Sequence, residues 1–116
     1  MTELVTPKIN GIDKECVDLC DAINEIPGLR TTESCCGHGK TQYRIWFKVD
    51  NPEWLPSLLY FCDSRHVGFD WNCLVTTDCG MSPITFLLES ESKGETAYEE
   101  ATVIAENVME HLREAK

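Results

Sequence analysis

A chain of 116 residues, 42% of them hydrophobic, can bury one core without staples and is read as a single domain over 1–116. Its formal net charge of -10 repels phosphate backbones, which excludes duplex DNA and tRNA, and no apolar run is long enough to span a membrane. Residues 1–7 lack the basic and apolar regions of an export signal, so a cytoplasmic protein is expected, and its seven cysteines, an odd number, are expected to be free thiols.

In chain order, Ile12, Cys16, Leu19, Cys20, Ile23 and Ile26 recur at spacings of three and four, with Asp18, Asp21 and Glu25 between them. That pattern predicts an amphipathic helix over 13–26, ended by Pro27-Gly28. Residues 29–35 are extended and Thr-rich. After a glycine loop, Tyr43, Ile45, Phe47 and Val49 alternate with Gln42, Arg44, Trp46 and Lys48, as in a half-buried strand. The order then repeats. Asn51-Pro52 opens a helix through Cys62, with Trp54, Leu58, Leu59 and Phe61 for burial and Pro56 disturbing the first turn. Phe69, Trp71, Cys73 and Val75 alternate with Asp70, Asn72, Leu74 and Thr76, and Ile84, Phe86 and Leu88 mark a last strand.

A closing helix over 97–115 is expected to open with the capping box Thr96-Ala97-Tyr98-Glu99. Its apolar stripe is Ala97, Ala101, Ile104, Ala105, Val108 and Leu112, and Glu99, Glu100, Glu106, Glu110 and Glu114 form a solvated face. The fold class that results is α+β, in the order αββαββα, with a four-stranded, mainly antiparallel sheet and helices on one face. The other face carries Arg44, Trp46 and Lys48 and is expected to be covered by a second copy in a homodimer.

Most of the chemistry lies in Thr31-Thr32-Glu33-Ser34-Cys35-Cys36-Gly37-His38-Gly39-Lys40. This segment combines tunable thiols and an imidazole with glycines that let a ligand approach the backbone. The segment Thr76-Thr77-Asp78-Cys79-Gly80 keeps the order Thr-Thr, carboxylate, Cys, Gly at the matching place in the second half. An internal αββ duplication is therefore expected, with the two loops at the same end of the sheet facing a shared cleft.

Three chemistries compete for these residues. Cys35 or Cys36, His38 and Cys79 supply soft zinc ligands, but there is no Cys-x-x-Cys pair and adjacent cysteines point apart, so no metal is assigned. A thiol nucleophile would take His38 as base and Glu33 or Asp78 as its orienting acid. Binding makes the fewest demands. Backbone N–H groups around Gly37-His38-Gly39 would form an anion-accepting concavity, with Lys40 or Arg44 for charge, Thr32 and Ser34 for hydroxyls, and Trp46 and Trp71 for stacking. Cys16 and Cys20, on the apolar stripe, are read as core, as are Cys62 and Cys73.

The stretch Thr31-Thr32-Glu33-Ser34-Cys35-Cys36-Gly37-His38-Gly39, the strand Arg44-Ile45-Trp46-Phe47 and the later Thr77-Asp78-Cys79-Gly80-Met81-Ser82-Pro83 resemble small uncharacterised proteins of bacteriophages and mobile elements. The resemblance implies a host-cell cytoplasmic setting and an anti-defence role, such as sequestering a nucleotide signal without turning it over. A partial resemblance runs to the tRNA wybutosine-synthesis methyltransferase family, whose motif Thr31, Thr32, Ser34, Cys35 and Gly37 match while Glu33, Cys36 and His38 depart. It implies S-adenosylmethionine-dependent chemistry. The function expected from the sequence is non-enzymatic binding of a small anionic, nucleotide-like ligand by Thr32 through Lys40, Arg44, Trp46, Trp71, Asp78, Cys79 and Gly80, with no cofactor named. The alternatives are a small thiol- or methyltransferase-like enzyme and a Cys/His zinc protein.

Overall fold

Along residues 42–48 every second side chain is buried. Tyr43, Ile45 and Phe47 have no exposed surface, while Arg44, Trp46 and Lys48 are half-buried, and this strand lies at the centre of the sheet. The computed structural model describes residues 8, 9, 11–63, 70–76 and 84–115. In order, it contains β1 (Lys8–Ile9), β2 (Ile12–Asp13), α1 (Lys14–Glu25), β3 (Leu29–Cys35), a 3-10 turn at Gly37–Gly39, β4 (Gln42–Val49), a second 3-10 turn at Pro52–Trp54, α2 (Leu55–Cys62), β5 (Trp71–Val75), β6 (Ile84–Lys93) and α3 (Gly94–Glu114). Apart from the small β1–β2 hairpin, the order is αββαββα, and the fold is α+β as expected. Among the described residues no helix is long and apolar enough to cross a membrane.

The main sheet runs β3-β4-β6-β5 with every neighbouring pair antiparallel. Its register pairs Ile45 with Leu88 and Phe47 with Phe86 on the face that α1, α2 and α3 cover, and Phe47 and Phe86 stack with centroids 5.7 Å apart. On the open face, Trp46 pairs with Leu87 and Lys48 with Thr85, while the Arg44 guanidinium donates to Glu89 at 2.6 Å. The core stripe of α1 (Cys16, Leu19, Cys20, Ile23) packs between the sheet and the Ala101, Ile104, Ala105 and Val108 face of α3. Cys16, Cys20 and Cys62 are thus core residues, and Cys73 is half-buried.

Two expectations need correcting. The strand pairs β3–β4 and β5–β6 meet through their second strands, the arrangement two αββ units would adopt, but β4 and β6 are antiparallel. Gln42 therefore pairs with Lys93 and Val49 with Ile84, so the strand ends that bound 36–41 and those that bound 77–83 lie at opposite ends of the sheet. With roughly 3.3 Å per residue, the length of β4 separates the two ends by about 23 Å. A single shared cleft does not follow from this register.

The second correction concerns α3. It begins at Gly94, directly from β6, with Lys93 at the N-cap and no side-chain cap, so Thr96 lies inside the first turn and does not serve as the cap. Gly94, at φ 61, lets the chain leave a strand and enter a helix within one residue.

Candidate functional site

At the end of β3 the chain enters three successive left-handed residues, Gly37 (φ 81), His38 (φ 51) and Gly39 (φ 79). For the glycines this conformation is free of Cβ strain, and a Cβ on Gly37 would come within 2.8 Å of the Gln42 carbonyl oxygen. For His38 it costs about 1–2 kcal/mol, so its surroundings must hold it there. They do so through the ring: Nδ1 lies 3.7 Å from Cys36 Sγ and Nε2 lies 3.8 Å from Asp13 Oδ2.

Five amides in and around this turn are engaged within the protein. Cys36 N–H donates to Asp13 Oδ2 at 3.1 Å, Gly37 N–H to Cys35 Sγ at 3.4 Å and His38 N–H to Cys36 Sγ at 3.4 Å. Lys40 and Thr41 N–H both donate to the Gly37 carbonyl, at 2.9 and 3.1 Å. Two of the donors expected to line an anion-accepting concavity around Gly37-His38-Gly39, the Gly37 and His38 amides, thus point at sulfur. The Cys36 amide points at a carboxylate, and the turn gathers acceptors.

Those acceptors converge. Asp13, Cys35 and His38 each offer a ligand atom, and the three atoms lie within 4.8 Å of one another. Asp13 occupies the N-cap position of α1 but makes no side-chain cap; its buried carboxylate, 5% exposed, faces the turn instead, where the positive end of the helix favours a negative charge. Cys35 and His38 are half-buried. Beneath the turn, Cys36 has no exposed surface, and Tyr98 from α3 sits beside it. Burial, with the Cys36 sulfur and the Glu15 carboxylate nearby, pushes the Tyr98 hydroxyl above its ordinary value. Among the described residues, Glu15 Oε1 is buried without a hydrogen bond, while Tyr43 Oη donates to the Glu15 carbonyl at 2.6 Å.

The other residues named from the sequence are dispersed. Thr32, exposed, donates through its hydroxyl to the Trp46 carbonyl at 3.3 Å, and Glu33 is exposed beside the β-bulge that follows Thr31. Thr32, Glu33 and Ser34 line a cavity of about 350 Å³ together with Gly11, Ile12, Cys20 and Thr31; Glu33 is the charged residue there, which suits an anion poorly. Lys40 is exposed on the turn, Arg44 is engaged by Glu89, and Trp46 is half-buried on the open face. Trp71 is a correction: it is 7% exposed, edge-on to Tyr43 at 5.3 Å, and donates through Nε1 to Glu100, so it is a core residue and offers no stacking surface. Its strand is separated from that of Trp46 by β6, which lies between β4 and β5. Asp78, Cys79 and Gly80 lie outside the described residues.

Burial argues against Cys36 as the thiol nucleophile, whereas Cys35 is half-buried. Cys36, the thiol nearest His38, has no surface on which to meet a substrate, and Asp13 stands where Glu33 or Asp78 was expected to orient the imidazole. Asp13 is the residue the sequence reading missed. Its only local signal is its place at the start of a predicted helix, and that signal reads as a cap. Comparison with known proteins finds no family model, curated protein or solved structure that matches the chain.

Proposed function

We propose that this protein binds a divalent cation of the zinc class through Asp13 Oδ2, Cys35 Sγ and His38 Nε2. The observation that carries the reading is the convergence within 4.8 Å of one ligand atom each from Asp13, Cys35 and His38, which lie on two separate segments of chain, the start of α1 and the end of β3 with the turn after it. A tetrahedral zinc with bonds of about 2.0–2.3 Å holds its ligands about 3.3–3.8 Å apart, so side-chain adjustments of roughly 1 Å close the site. The mixed oxygen, sulfur and nitrogen set is one that zinc accepts, and three protein ligands leave a fourth position open.

The surroundings support each ligand. Gly37 N–H donates to the Cys35 sulfur and Cys36 N–H to the Asp13 carboxylate, and Cys36 Sγ lies next to His38 Nδ1, where it orients the ring that presents Nε2 to the ion. This gives the adjacent cysteines different tasks. Cys35 ligates and Cys36 positions. The open fourth position takes an oxygen donor such as a phosphate or carboxylate, which provides a place for the small anionic ligand expected from the sequence.

Elemental analysis of protein purified without a histidine tag tests the reading. About one zinc per chain is expected, with loss of the ion in Cys35→Ser and His38→Ala variants that keep the wild-type circular dichroism spectrum. Titration with Co²⁺ is expected to give a sulfur-to-cobalt charge-transfer band that the Cys35→Ser variant lacks. Absence of saturable cobalt or zinc binding to the wild-type chain overturns it.

A further inference from the structure

A second hollow, of about 390 Å³, opens where α2 meets the C-terminal part of α3 and is lined by Pro56, Ser57, Tyr60, Phe61 and His111. At 1.5 Å per residue along α3, His111 stands about 20 Å from Tyr98 and hence from the Asp13 cluster. We propose that this hollow binds a small, uncharged planar molecule that carries one hydrogen-bonding group.

Size and lining agree with that ligand. Sites for small molecules run from about 300 to 1,000 Å³ and combine an apolar, aromatic wall with a few fixed polar groups. Here the wall is Pro56, Tyr60 and Phe61, with Tyr60 and Phe61 edge-on at 5.2 Å. The polar group is a preorganised pair. Ser57 Oγ and His111 Nε2 lie 3.2 Å apart, and the imidazole is pinned edge-to-face by Phe61 at 5.9 Å and Trp54 at 6.4 Å. A hydroxyl has one donor and two acceptor positions, so the bond to His111 leaves Ser57 able to bond a ligand as well.

Charge selects against ions. The chain carries 20 Asp and Glu residues, and the groove between α1 and α3 is lined by Asp18, Asp21, Glu106 and Glu110, yet none of the described residues around the Ser57–His111 hollow is acidic. Area selects a small molecule over a protein. Tyr60, 51% exposed, is the one large hydrophobic residue of α2 that is exposed, whereas a stable protein interface buries about 800 Å² on each partner.

Indole is a suitable probe, since its N–H can donate to Ser57. In an NMR titration of the full chain, saturable shifts of the His111, Tyr60 and Phe61 ring resonances are expected with a Kd on the order of 1 mM, a strength within reach of a ring-sized ligand. Tyr60→Ala, a change at a half-exposed position, is expected to weaken binding about 10-fold with an unchanged melting temperature, removing one wall of the hollow. 1-Methylindole, which lacks the donor, is expected to bind several-fold more weakly than indole to the wild-type chain and equally to Ser57→Ala. The proposal is overturned by unsaturable shifts, by shifts confined to Trp46 and Leu87 on the open sheet face, or by indole affinity that Tyr60→Ala leaves intact. Concentration-dependent shifts of His111 without probe would assign the hollow to a second copy of the chain and also overturn it.

Discussion

The carboxylate of Asp13 accepts the amide hydrogen of Cys36 at 3.1 Å across a separation of 23 residues, although Asp13 sits where a helix cap belongs. One buried oxygen thereby ties the start of α1 to the turn that carries His38. The tie predicts different outcomes for two substitutions. Asp13→Asn keeps an acceptor for the Cys36 amide but turns an anionic ligand into a neutral one, so metal affinity is expected to fall at least about 10-fold, with little change in stability. Asp13→Ala also leaves a buried amide unpaired, which costs about 1–3 kcal/mol. Competition with a chromophoric chelator and urea denaturation separate the two effects.

Cys35 and Cys36 are expected to behave differently despite being neighbours. Cys35→Ala should abolish the cobalt charge-transfer band and, by leaving the buried Gly37 amide without its sulfur acceptor, lower stability by about 1 kcal/mol. Cys36→Ala should retain the band with weaker affinity and lower stability by about 1–2 kcal/mol, because a fully buried side chain is truncated. In the apo protein, alkylation followed by mass spectrometry should modify Cys35 before Cys36.

Stability is expected to fall at high pH. Burial pushes the Cys16 thiol up from an ordinary 9.0 to about 12 and the half-buried Cys73 thiol to about 11, and it raises Cys20 and Cys62 as well. Below pH 9 these thiols are protonated in both the folded and unfolded states, and their contribution is fully present. Above it the unfolded chain loses its protons first, so stability declines by at most about 1.4 kcal/mol per pH unit for each thiol until the folded-state value is reached. Urea denaturation at pH 8, 9 and 10 checks the sign, and a stability that rises across that range would contradict it.

Gly37→Ala should be the costliest single change in the turn. It places a Cβ 2.8 Å from the Gln42 carbonyl oxygen at φ 81, where the strain is about 1–3 kcal/mol and the clash adds to it. Gly11→Ala, at the same φ with nothing within 4 Å of its Cβ, should cost the strain alone. Thermal melts of the two variants measure the difference.

The helices and strands were largely legible because their signals are local. Alternation at Tyr43, Ile45 and Phe47 and the three-and-four spacing of Cys16, Leu19, Cys20 and Ile23 each record which side of an element is buried, and burial follows that record. The start of α3 was less legible, since Thr96 and Glu99 form a sound local cap signal that a glycine two residues earlier overrides. Trp71 illustrates another limit. Alternation in its strand separates two faces without saying which one the helices cover, so a core indole and a ligand-stacking indole look alike in one dimension.

By itself, the sequence determined the α+β class, the element order and the concentration of thiol, imidazole and glycine at Cys35, Cys36, Gly37 and His38, because composition and periodicity act over a few residues. Only the tertiary structure decided that β4 and β6 run antiparallel at the centre, and with that pairing the strand ends bounding the two similar loops lie at opposite ends of the sheet. Only it brought Asp13 to the turn and set the Cys36, Gly37 and His38 amides on carboxylate and sulfur. The physical reason is that strand pairing and ligand convergence are set by contacts between segments far apart in the chain, and these leave no period to read.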